Sequence, residues 1–266
     1  MILGNICTRQ CRFCAVQKGV PEPLDLSEPE RVAEMAQALS LKHVVVTSVT
    51  RDDLPDGGAG IFAETIKKLR LLPGVTIEVL TSDFMGNEGS VAAVLKAAPD
   101  VFNHNLGTVR RLQAAVRPQA GYDRSIGVLK MASSRSRGIA VKSGMMLGMG
   151  ETDAEITESM ADLLAAGCRV LTLGQYLPPS RSHWPVSRFV TPGQFDAFRE
   201  KALAMGFAAV AAGPLVRSSY NAAGLMAEAV RAHTENALDQ ARPPVDNASG
   251  VAAARRLEDC PLEPDS

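Results

Sequence analysis

The sequence predicts an α/β fold: a parallel barrel, complete or open, with helices on its outside. Three observations carry this reading. Between Leu41 and Ala212, short β-branched runs alternate with longer segments of helical period. The short runs are apolar on both faces, as parallel strands covered by helices must be. Polar residues gather at the carboxyl ends of many different runs, which favours a barrel over an open doubly wound sheet, where a site gathers at one switch point. The chain of 266 residues is long enough for one such barrel or for two small domains.

Taken in order, strands are expected at residues 44–49, 75–80, 101–105, 139–146, 169–173 and 208–212, with residues 1–4 as the end of a first strand. Helices are expected at 29–41, 59–72, 88–97, 122–133, 153–166, 192–205 and 222–234. Two of them carry start signals. Ser27-Glu28-Pro29-Glu30 reads as a cap with proline in the first turn, and Thr152-Asp153-Ala154-Glu155 has capping-box spacing. The intervening connections are long enough for right-handed crossovers. After Glu235 the pattern decays through Pro243-Pro244 and Ala248-Ser249-Gly250, so a domain is expected over residues 1–234 and a mobile tail over 235–266.

Charge and composition exclude several functions. Lys plus Arg total 28 against 29 Asp plus Glu, so no global field draws the chain to nucleic acid or to an anionic membrane. The longest apolar stretch, 206–216, is too short to span a bilayer. The opening MILGNICTRQC lacks the charged, apolar and cleavage regions of a signal peptide, so either the fold starts abruptly or a segment precedes it. Three of the five cysteines fall within eight residues, where thiols share a metal more often than they pair; a reducing compartment, the cytoplasm, is expected.

Cys7-x3-Cys11-x2-Cys14 lets one loop wrap three thiolates around a single inorganic centre. A closed zinc site wants four ligands, and no nearby histidine or cysteine supplies the last. A [4Fe-4S] cluster can keep three protein ligands and leave one iron open. That iron can chelate the amino and carboxylate groups of a methionine-like molecule and pass one electron to an adjacent sulfonium. Zinc, another metal and an incidental grouping are the alternatives. Phe13 covers an adenine or shields the cluster, Cys168 reads as a small core residue, and Cys260 falls in the tail.

Further candidates stand at strand ends. Asp56-Gly57-Gly58 brings backbone N–H groups close to a carboxylate or amino acid, or is a glycine turn; Arg51, Asp52 and Asp53 orient ligands there or form a solvated cluster. Asn103, His104 and Asn105 present amides and an imidazole to ribose or adenine edges, with a structural histidine as the alternative. Lys142 can neutralise a carboxylate, and Glu151 binds ribose or caps the next helix. Gln175 and Tyr176 end another strand, and His183 and Trp184 lie in a proline-rich loop that either covers the pocket or is plain surface. Arg217-Ser218-Ser219-Tyr220 alone reads as a polar turn.

The spacing CxxxCxxC with Phe13 before the last cysteine resembles that of radical S-adenosylmethionine (SAM) enzymes. TSVTRDDLPDGG at 47–58, FNHNLGTVRRL at 102–112, VRP at 116–118, KSGMMLGMGET at 142–152, LTLGQYLPPSRSHWPV at 171–186 and GPLVRSSYNA at 213–222 are similar, in order, to the lipoyl synthase family. The resemblance implies a radical-SAM barrel of partial or modified TIM type. It implies a [4Fe-4S] cluster with an open iron on Cys7, Cys11 and Cys14, with SAM bound around Arg51, Asp56, Gly57, Gly58, Asn103, Asn105, Lys142, Glu151 and Gln175. The implied reaction is insertion of two sulfurs at C6 and C8 of a protein-bound octanoyl-lysine by 5'-deoxyadenosyl radical chemistry. Its implied partners are octanoylated lipoyl carrier domains or a glycine cleavage H-type protein, together with a one-electron reductant.

Arg217, Ser218 and Ser219 would act in catalysis, Ser218 or Ser219 as a ligand to a second, auxiliary [4Fe-4S] cluster. In the family that cluster draws on a cysteine motif upstream of the segment matching MILG, which makes a truncated or divergent member an expectation here. The family pattern carries glutamate where Gly107 stands and histidine where Asn221 stands. Another radical SAM reaction and a noncatalytic iron–sulfur or carrier-binding homologue are the alternative readings.

Overall fold

The computed structural model describes residues 1–135 and 138–240, with side chains described through Arg231. A short parallel pair, β1 (Ile6–Cys7) and β2 (Gln17–Lys18), brackets the cysteine loop. Then come α1 (Glu28–Ala38), β3 (His43–Thr47), α2 (Ala59–Leu69), β4 (Thr76–Leu80), a single 3-10 turn at Phe84–Gly86, α3 (Glu88–Lys96) and β5 (Val101–Asn103). The chain continues through α4 (Arg110–Val116), α5 (Tyr122–Arg135), β6 (Ala140–Leu147), α6 (Asp153–Ala165), β7 (Val170–Gln175), α7 (Pro192–Met205), β8 (Ala209–Gly213) and α8 (Ala222–Gln240).

Strands β3 to β8 form one six-stranded parallel sheet in sequence order. Each strand pairs with the next: His43 lies opposite Thr76, Leu80 opposite Asn103, Asn103 opposite Lys142, and Gly174 opposite Gly213. This is the partial barrel expected from the alternating pattern. Alternation along each strand decides what faces where. Ile77 and Val79 are enclosed in the apolar layer that includes Phe62, Ile66 and Leu69 of α2. Glu78 and Leu80 share the opposite, interior face.

Helix starts follow local chemistry. Thr152 and Glu155 form the expected capping box, and Thr191 with Gln194 forms a second one ahead of Pro192. Ser27 is a correction: its hydroxyl bonds Asp25, it makes no cap hydrogen bond, and its backbone is already helical. Residues 1–4 form no strand; Ile2 makes one isolated parallel bridge to Ser48, and its N–H donates to the Thr47 carbonyl at 2.8 Å. The pattern also missed α4 and ended α8 too early.

The chain forms two compact units, Met1–Ala232 and His233–Ser266, and the barrel belongs to the first. Most of the expected tail, with Cys260, lies outside the described residues. Among the described residues no helix is long and apolar enough to cross a membrane.

Candidate active site

A cavity of about 480 Å³ opens at the carboxyl ends of the strands and is lined by Cys7, Cys11 and Cys14 together. Arg9, between the first two cysteines, fastens their loop. Its Nε donates to Asp52 at 2.6 Å and its Nη2 to Asp83 at 2.5 Å, with Asp83 fully buried. Burial alone would lower the Arg9 guanidinium, but the two carboxylates more than offset this and hold it above its ordinary value. The loop has a second fastening: Arg12 N–H donates to Val116 O and Trp184 N–H to Arg12 O, at 2.8 and 2.9 Å, while the Arg12 guanidinium stands 4.7 Å over the Trp184 ring. Trp184 Nε1 donates to Met149 O, and Tyr176 Oη to Trp184 O. The proline-rich loop after β7 is thereby clipped to the cysteine loop.

Among the described residues no three His, Cys, Asp or Glu side chains stand close enough to grip one metal ion. Three thiols line one cavity with no fourth cysteine beside them among the described residues, a donor set that suits a cluster with one open iron better than a four-ligand zinc site. The burial of Cys11 raises its thiol, and Arg117 beside it pulls the other way. Other groups on the cavity wall are prepared for a ligand. Asn105 Oδ1 and Thr81 Oγ1 are buried without hydrogen-bond partners. Gly144 lies against Asn105 and the Thr172 hydroxyl, where a Cβ would collide with both. The residues present therefore fit a cluster with an organic ligand beside it.

Several residues singled out in the sequence meet at this cavity: the cysteines, Phe13, His104, Asn105, Gln175, Tyr176, Arg217 and Ser218. Gln175 has its amide committed, donating to Tyr176 O and Arg188 O and accepting from Val190 N–H. It lines the cavity and at the same time holds the loop after β7. His104 Nδ1 lies 3.0 Å from Thr81 O and its Nε2 lies 3.0 Å from the Ser125 hydroxyl. A neutral ring donating from Nδ1 and accepting at Nε2 satisfies both, and burial, helped by Arg117, lowers its pKa to about 4. The structural reading of His104 holds.

Other expected ligands stand off the cavity wall and bond protein partners. Lys142 is buried, with its ammonium 2.8 and 3.0 Å from the two carboxylate oxygens of Glu78, and Asn103 Nδ2 donates to the same carboxylate at 2.9 Å. Glu78, Asn103 and Lys142 form a buried polar cluster across β4, β5 and β6, with Asn103 in register with Leu80 and Lys142, and none of the three lines the cavity. Arg51 is held by Asp53 and the Leu3 carbonyl. Asp56 accepts from the Gly58 and Gly60 N–H groups at the start of α2, and Gly57 and Gly58 make the left-handed turn there. Glu151 accepts from Gly148 and Met149 N–H at 2.6 and 2.9 Å. None of these lines the cavity, and Ser219 is turned to solvent.

Sequence reasoning missed Arg9, Asp83 and Arg117 as site residues. The VRP motif was the one available signal for Arg117. Around Ser218 the described residues supply no further cysteine: Cys168 is buried, its Sγ donating to Val170 O, and burial pushes its thiol up to about 12. The described residues therefore do not complete a second cluster there.

Comparison with known proteins bears on this site. The pattern of the Radical SAM superfamily matches residues 1–163. The chain is 58% identical over 222 residues to a lipoyl synthase of Caldanaerobacter subterraneus subsp. tengcongensis, covering 84% of this chain and 78% of that protein. It is 52% identical over 223 residues to one from Rubrobacter xylanophilus, covering 84% and 70%. In fold it is similar to methylornithine synthase, with a TM-score of 0.57 at 14% identity over 71% of this chain and 55% of that one. It is likewise similar to HydG, a maturase of [FeFe]-hydrogenase, with a TM-score of 0.57 at 17% identity over 84% and 56%.

Proposed function

The chain belongs to the lipoyl synthase family of the radical SAM superfamily, and from that premise we propose how its residues serve the family's reaction. That reaction inserts two sulfurs at C6 and C8 of a protein-bound octanoyl-lysine. The observation that carries the assignment of roles is the cavity into which Cys7, Cys11 and Cys14 all open.

Cys7, Cys11 and Cys14 would hold the [4Fe-4S] cluster. When bound, the cluster with SAM supplies 5'-deoxyadenosyl radical chemistry, able to break unactivated C–H bonds. The protein's own part is placement and exclusion of water. Arg9 fixes the cysteine loop against Asp52 and Asp83. Asn105 Oδ1 and Thr81 Oγ1 are free acceptors at the wall and would take N–H or O–H donors of SAM. Phe13, Val16, Leu80, Met145, Met146 and Leu177 give the octanoyl chain and the adenine an apolar surface. Arg51, Asp56, Gly57, Gly58 and Glu151 would act at one remove, by shaping the loops at the mouth, and Asn103 and Lys142, through Glu78, by fixing the strands that carry the cavity wall.

Arg217 and Ser218, at the end of β8, are the groups we assign to the substrate side, with Ser218 rather than Ser219 facing the cavity. The partners in this reading are an octanoylated lipoyl domain or glycine cleavage H-type protein and a one-electron reductant, and the compartment is the reducing cytoplasm. The barrel would be the domain over residues 1–234, followed by a tail.

The test is mass spectrometry of an octanoyl-lysyl carrier peptide after anaerobic incubation with the reconstituted chain, reductant and SAM. Gain of two sulfurs, with 5'-deoxyadenosine formed, is the expected result. Cys11→Ala should lower 5'-deoxyadenosine formation by at least about a thousandfold, toward the uncatalysed level. Unchanged formation in that variant would remove the cluster from these cysteines.

A further inference from the structure

Arg117 caps the end of α4 and has no part in the roles assigned above. The turn that carries it holds the cysteine loop: Val116 O accepts from Arg12 N–H, and Gln119 Oε1 accepts from Gln10 N–H at 2.8 Å. Arg117 Nη1 donates to the Asn105 carbonyl at 2.9 Å and to the Leu106 carbonyl, and both Arg117 and Cys11 line the cavity, near enough for the guanidinium to pull the Cys11 thiol down against its burial. Its Nε is buried without a partner. Carbonyl groups solvate a cation without cancelling its charge. The charge of Arg9 is matched by Asp52 and Asp83, whereas among the described residues no carboxylate pairs directly with Arg117, and Asp83, already held by Arg9, acts on it only from a distance.

Two further features agree. The described lining of the cavity includes Arg9, Lys18, Arg117 and Arg217 and neither an aspartate nor a glutamate. Gly107 makes room for the guanidinium: with φ at +85°, a Cβ there would come within 3.0 Å of Arg117 Nη1 and 3.1 Å of its Cδ. Arginine is also the residue type that keeps its charge when buried.

We infer that Arg117 is a positioning residue for electron entry, a cation with no directly paired carboxylate on the cavity wall it shares with Cys11, which makes the cysteine-bound cluster easier to reduce. The inference rests on the cluster reading above. In that step one electron passes from a one-electron reductant to the cluster, no bond is made or broken, and no proton moves. The added negative charge sits among three thiolates, and hydrogen bonds and net charge at the sulfurs set its potential.

The test is a redox titration of the anaerobically reconstituted full chain, with the reduced cluster followed by electron paramagnetic resonance and iron content measured alongside. Arg117→Gln should be about tenfold harder to reduce, a shift of ~59 mV for a one-electron couple. Arg117→Lys should stay near the wild type, and Gly107→Glu, which brings a carboxylate to the intact arginine, should shift in the same direction as Arg117→Gln. If Arg117→Gln loads no cluster, the other two variants decide the matter. A merely structural arginine would lower iron content and leave the potential of the loaded fraction unchanged in all variants, which overturns the inference. A wild-type chain that takes up no paramagnetic cluster would overturn the cluster reading itself, and this inference with it.

Discussion

Lys142 shows how little a residue's type says about its task until its partner is known. In the sequence it is a cation at the start of a glycine-rich strand end; in the fold it is buried against Glu78, and both side chains are 1% exposed. Such a pair adds little net stability over an apolar one, but removing one member strands the other charge in the interior. Lys142→Met should therefore destabilise the barrel by about 3–5 kcal/mol in denaturant unfolding, and the double variant Glu78→Leu with Lys142→Met should recover much of that loss. A single variant as stable as the wild type would show that this contact leaves no stranded charge in the interior when it is broken. The cysteines were legible because their whole chemistry lies in a local spacing. Arg9 and Asp83 were not, because they stand 74 positions apart, nor were Lys142 and Glu78, at 64. No single sequence shows which distant charge a buried charge will meet.

Among the elements, strands and long helices were legible because burial on both faces leaves a continuous apolar run and a capping box leaves its own four-residue mark. Helix α4 was not: Arg110-Arg111-Leu112-Gln113 has only a short apolar stripe, and its seven residues end against Pro118. Close approaches between elements are equally silent. Gly174 on β7 lies under the Val216 carbonyl, and a Cβ there would run into that oxygen. Gly174→Ala should push the turn bearing Arg217 and Ser218 away from the cavity. Sulfur insertion should fall by on the order of 100-fold, the scale of a 1 Å misplacement, while iron at the cysteine loop is retained. Loss of iron and activity together would place the fault in the barrel as a whole.

At the scale of the whole molecule, six parallel strands leave β3 and β8 as the edges of the described sheet, and the mouth is finished by loops instead of by further strands. Two of those loops, from opposite ends of the barrel's sequence, meet where Arg12 lies over Trp184. Trp184 is the chain's single tryptophan. All indole fluorescence therefore comes from one ring, seated beside the residue that precedes Phe13 and Cys14. An iron–sulfur cluster absorbs broadly through the near ultraviolet and visible, so loading iron and sulfide into the metal-free chain should quench that emission by energy transfer. Cys11→Ala should keep its brightness, and equal quenching in that variant would mean that the absorber sits elsewhere. The same emission, read by its wavelength, reports whether the loop after β7 is seated or has swung into water, so filling and closure of the mouth can be followed in one cuvette without a label.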